Sequence, residues 1–157
     1  MLSESDSDKI LNWIRKISTI RPELGGFSIC PFASLSTNKI IKCSVDDIEP
    51  ISGFDVIIFI VEDYLDVDEL ESWVEFYSKM YKKYDFFVDS YKNPNYIDEI
   101  QTSNDDYNLI LCQPIEKLKK FRKKLAKTDY YSHWDEEYLQ KILKDDLHIV
   151  KNKGKSG

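Results

Sequence analysis

The sequence is poor in the residues that staple, ligate or anchor a chain. Its three cysteines, Cys30, Cys43 and Cys112, are odd in number and far apart. Such a set makes no disulfide framework and suits a reducing, cytoplasmic setting. Its two histidines, His133 and His148, lack metal-ligand spacing, so no metal site is expected. No run approaches the ~20 apolar residues of a membrane span. Met1 to Asp8 is too polar and acidic for a secretory or transit leader. A nucleophile elbow and a dinucleotide fingerprint are both missing. Gly154-Lys155-Ser156 imitates the end of a phosphate-binding loop, but the first glycine that motif needs is replaced by Ile149. No cofactor is expected.

What is there is a globular composition. The 157 residues fit one domain. An apolar share of 42% beside a charged share of 32% is ordinary for a folded chain. Three Trp, ten Tyr and eight Phe supply a firm core with aromatics left over for surfaces. Residues 1–150 are expected to form a single domain, with 151–157 a disordered tail.

Local patterning gives an order of elements. Ser5 to Asp8 offer caps for a first helix with Ile10, Leu11, Ile14 and Ile17 on one face, ended by Arg21-Pro22. Strands are expected over 39–45, 54–62 and 107–112. The run Val56 to Val61 is apolar on both faces and should be central. Asp66 and Glu69 have capping-box spacing for a second helix, striped by Leu70, Trp73, Val74, Tyr77, Met80, Tyr81 and Tyr84. This helix is expected to cross over, right-handed, between two parallel central strands. Residues 85–91 fit either helix or strand, and 95–106 a loop with one helical turn. Pro114 suits the first turn of a third helix that turns Leu118, Phe121 and Leu125 inward. Ser132 is placed to cap a final helix burying Tyr138, Leu139, Ile142 and Leu143. The fold class is α/β (α+β): a mixed sheet of three to five strands with helices packed on it, a ferredoxin-like sheet being one arrangement that fits.

Three features bear on chemistry. In the first, Gly25 and Gly26 free the backbone just before Cys30-Pro31-Phe32. If Pro31 opens a short helix, its dipole favours a Cys30 thiolate. A ligand site would then involve Gly25, Gly26, Pro31 and Phe32, with His133 a conceivable base for Cys30. The plain alternative makes Cys30 a small buried hydrophobe beside Phe27 and Phe32. The second is acidic: Glu62, Asp63, Asp66, Asp68 and Glu69 stand where a strand meets a helix, a place for Mg²⁺ or simply for capping. The third is the basic segment Lys117 to Lys127, which holds seven bases and no acid, among them Lys119, Lys120, Arg122, Lys123 and Lys124. Taking those seven charges from the net −6 leaves −13 elsewhere, a strongly dipolar molecule. With Tyr130, Tyr131, His133 and Trp134 following, this segment could stack on bases or hold phosphates, or form a solvated helix face.

Cys30-Pro31-Phe32 looks like the first half of a glutaredoxin active site. Ala33 stands where the second cysteine would be, so dithiol chemistry is not implied. Pro114 also follows a strand, where thioredoxin-like proteins place a cis-proline before one. Ile29-Cys30-Pro31-Phe32-Ala33 more closely resembles the Leu-Cys-Pro-Phe-Ala motif of an uncharacterised bacterial family, a domain of unknown function, whose element order is similar over residues 8 to 127. That resemblance implies an α/β domain and brings no established activity with it.

Two functions follow as expectations. One is a small-molecule or thiol site built on the Cys30 loop. The other is a non-catalytic module whose residues 117–134 contact an acidic partner or RNA. The acidic net charge weighs against general nucleic-acid binding. Membrane binding is disfavoured because Leu118, Phe121 and Leu125 are needed inside.

Overall fold

The computed structural model describes residues 2–21, 27–28, 37–97 and 99–151. The first helix, α1 (Glu4–Ser18), starts earlier than its caps suggested. Ser3 accepts from the Asp6 amide at 3.0 Å, and the Asp6 carboxylate accepts from the Ser3 amide. It also stops ahead of Arg21-Pro22: Thr19 turns extended and its hydroxyl donates to the Arg15 carbonyl. Ile10 and Ile17 are buried, whereas Leu11 lies at the surface.

Two short strands, β1 (Ile20–Arg21) and β2 (Phe27–Ser28), pair antiparallel. The main sheet contains β3 (Asn38–Cys43), β4 (Val56–Val61), β5 (Tyr84–Ser90) and β8 (Asn108–Pro114). A small hairpin, β6 (Tyr96–Ile97) and β7 (Ile100–Gln101), replaces the helical turn expected over 95–106. The main sheet runs β3-β4-β8-β5, so it is a mixed sheet with β4 central, flanked by β3 in parallel and β8 in antiparallel. Gly53, at φ 98°, makes the turn into β4 with a backbone that an L residue adopts only under strain.

Helix α2 (Val67–Met80) has the Asp66–Glu69 capping box, with both reciprocal bonds made. Its apolar stripe is shorter than the sequence pattern. Met80 is exposed, Tyr81 caps the end, and Tyr84 already begins β5. The helix does link two strands of one direction, but β8 lies between them, antiparallel to both. Composition explains this order. β4 is buried at every position, and β8 carries Leu109-Ile110-Leu111-Cys112, so these two take the centre. β5 carries Asp85, Asp89 and Ser90 and takes an edge. The β4–α2–β5 unit split by β8 is shared with ferredoxin-like sheets, whereas the other edge, β3, comes from upstream and is parallel to its neighbour.

Strand alternation divides the core into two faces. Ile57, Phe59, Val61, Phe86, Ile110 and Cys112 pack under α2. Val56, Ile58, Ile60 and Leu109 face α1. The chain then adds α3 (Ile115–Ala126), α4 (Glu136–Leu143) and α5 (Leu147–Lys151). Pro114 ends β8 and precedes α3 rather than forming its first turn. Asp135, not Ser132, caps α4, accepting from the Tyr138 amide at 2.7 Å. Ser132 sits in the tight turn Tyr130–His133 before it. No described helix is long and apolar enough to cross a membrane.

Candidate functional site

Among the described residues, an aromatic-lined cleft lies where α1, the β5/β8 half of the sheet and helices α3 and α4 meet. This cleft has about 160 Å³ of free volume. Its floor is Phe87, Asp89, Leu111 and Gln113, the residues of β5 and β8 that alternation turns away from α2. Trp13 and Ile17 of α1 form one wall, and Leu118, Phe121 and Leu125 of α3 another. Tyr130, Tyr131, Trp134 and Tyr138 close the third side as a chain of edge-to-face rings with centroids 4.5–5.6 Å apart. Trp13 and Trp134 also join this cleft to the neighbouring core clusters.

A few polar groups converge on this apolar surface, the usual make-up of a small-molecule site. Asp89 is buried, and its Oδ1 accepts from the Asn104 amide at 2.9 Å and from Asn104 Nδ2 at 2.7 Å. No described group donates to Oδ2. Burial raises the Asp89 carboxyl to about 6, against the Asn104 bonds and the nearby charge of Lys141, which lower it. Thr102 Oγ1 accepts from the Tyr138 hydroxyl at 3.3 Å, and the Thr102 carbonyl accepts from Trp13 Nε1 at 3.0 Å. Lys141 donates to Asn95 Oδ1 at 2.5 Å. Asn104 also bonds the Tyr107 backbone at both ends, so the loop that presents Asp89's partner is itself tied down.

A carboxyl raised in the fold favours the protonated form, so it opposes stability once pH exceeds its ordinary range. A carboxamide in its place would keep an oxygen for Asn104 and carry no charge. Asp89→Asn is therefore expected to gain stability relative to the parent as pH rises from about 4 to about 6. Melting curves at the two ends of that window check this; a variant-minus-parent melting temperature that falls with rising pH would contradict it.

The residues singled out by sequence fall in several places. Gly25, Gly26, Cys30, Pro31 and Phe32 lie outside the described residues, as do Ala33 and the tail beyond Lys151. His133 is half-buried in the turn before α4. Cys112 is buried and its thiol is pushed up to about 12 by burial; Cys43 is half-buried and pushed up to about 11 by burial and by nearby carboxylates. Both thiols are suppressed as nucleophiles. An alkylating reagent near neutral pH is expected to modify Cys30 before either of them, and mass mapping that finds Cys43 or Cys112 labelled first would refute this.

Three of the five acidic residues serve structure. Asp63 accepts from the Val45 amide at 2.7 Å, and Asp66 and Glu69 cap α2. No group of three or more potential metal ligands occurs among the described residues. In the basic segment, Lys120, Lys123 and Lys124 are exposed. Arg122 does not share that face. It is 5% exposed, with Nη1 donating to Asp146 at 2.9 Å and Nη2 to the Ile142 carbonyl. Lys119 is half-buried, 3.8 Å from the same carboxylate, and Lys117 pairs with Asp55. Tyr130 and Tyr131 turn inward, 4% and 6% exposed.

Sequence reasoning missed Asp89 and Asn104. The readable signal was an aspartate flanked by Val88 and Ser90 in a strand that must be half buried, and it was hidden because 85–91 fitted helix as well.

No family model, no curated protein and no solved structure matches this chain.

Proposed function

We propose that the protein is a small-ligand-binding domain, and that its ligand is a molecule of about one ring held in the cleft between the sheet and helices α3 and α4. The observation that carries this reading is the convergence of aromatic rings and a buried, incompletely bonded carboxylate on about 160 Å³ of free volume. An apolar cavity of about 150 Å³ accommodates benzene in other proteins. The suppressed thiols Cys43 and Cys112 suit a protein kept in a reducing, cytoplasmic compartment.

Contact with an acidic partner or RNA through the basic segment draws less support. Base stacking needs rings at the surface, and Tyr130 and Tyr131 are buried.

Calorimetry with benzyl alcohol as a one-ring probe tests the cleft. Saturable binding to the parent is expected, and Leu125→Trp, which fills the space from α3, should abolish it. Equal binding to both proteins would place the probe elsewhere and overturn the reading.

A further inference from the structure

We infer that the cleft selects a ring-bearing ammonium ion, with Asp89 as its counter-charge and the aromatic lining as its surroundings. This rests on the cleft being a ligand site and adds the chemical class of the ligand. Asp89 stands in the floor with Oδ1 occupied by Asn104 and Oδ2 unbonded by any described group. A neutral hydrocarbon seated over it would cover a charged oxygen to which no described group donates, which is costly. An anion would be repelled by that charge, among the rings of Tyr130, Trp134 and Tyr138 that line the same cleft. A cation satisfies the carboxylate and is attracted by the rings at once.

The charges already present agree. Arg122, the guanidinium lining the cleft, is neutralised by Asp146 at 2.9 Å. Lys141, whose charge acts on Asp89, is held by Asn95. Phe87, in the floor beside Asp89, has Lys144 Nζ 4.7 Å and the Arg122 guanidinium carbon 5.7 Å from its ring centroid. The aromatic surface here therefore already takes cations from the chain itself.

The test titrates the full chain, near neutral pH, with three probes of one ring size: benzylammonium, benzyl alcohol and benzoate. Benzylammonium is expected to bind about tenfold more tightly than the alcohol, and benzoate not measurably. Asp89→Asn keeps the shape and the acceptor for Asn104. It should erase the preference, bringing benzylammonium to about the affinity that the same variant has for the alcohol. Should that variant melt below the parent, Tyr138→Leu serves instead, and it should weaken the ammonium more than the alcohol. If the alcohol binds the parent as tightly as the ammonium, the cleft remains a ligand site and the ammonium selection is overturned. If the ammonium preference survives in Asp89→Asn, the charge is read by another group and the inference is overturned likewise. If none of the three probes binds, the cleft reading falls with it.

Discussion

Asp146→Ala is expected to destabilise the fold by about 3–5 kcal/mol, the usual cost of leaving one member of a buried ion pair alone. Asp146 and Arg122 are 6% and 5% exposed, and the pair fastens α3 to the segment after α4. Without Asp146, the Arg122 guanidinium keeps only the Ile142 carbonyl among its described hydrogen-bond partners. The geometry that brings Asp146 there is itself strained, because Lys144 turns the chain with φ 49°, a left-handed value uncommon outside glycine. An Arg122→Met, Asp146→Leu double variant should recover most of the loss, since two apolar residues replace both charges. The exposed pair Lys117–Asp55 is the control: Lys117→Ala should cost less than about 1 kcal/mol. Urea midpoints decide the matter, and a small loss for Asp146→Ala would mean that the C-terminal helices are not held by this pair.

Neighbouring phenylalanines on β5 should behave in opposite ways. Phe86 is fully buried under α2, its ring centroid 5.8 Å from that of Tyr77 and 6.2 Å from that of Tyr81. Phe86→Ala should cost about 3–5 kcal/mol through lost burial and the cavity left behind. Phe87 points to the other side and forms the cleft floor, half-buried. Phe87→Ala should cost clearly less stability and should weaken one-ring probes instead. Chemical denaturation and probe titration of the two variants check both halves; equal stability losses would contradict the assignment of faces.

The two faces follow from patterns that are legible in the chain. The unbroken apolar run Val56 to Val61 announced a central strand, and Asp66 with Glu69 announced the start of α2, because both are local signals. The position of β5 was not legible, since Tyr84 to Ser90 satisfies helical and strand periodicity alike and only pairing with β8 settles it. The cleft was hidden for the same reason: Asp89, Trp13 and Tyr138 are far apart in sequence, and Asn104 reads as an ordinary loop residue. Arg122 looked like one more charge in a basic run. Its partner lies 24 residues further on, past a backbone turn at Lys144 that no local pattern signals.

The most direct measurement is an amide chemical-shift titration of the labelled full chain with benzylammonium. Shifts are expected to concentrate on Trp13, Phe87 to Asp89, Thr102 to Asn104 and Trp134 to Tyr138, and the α2 residues on the far side of the sheet should stay still. Shifts scattered over exposed carboxylates, or none at saturating probe, would contradict a ligand site in this cleft.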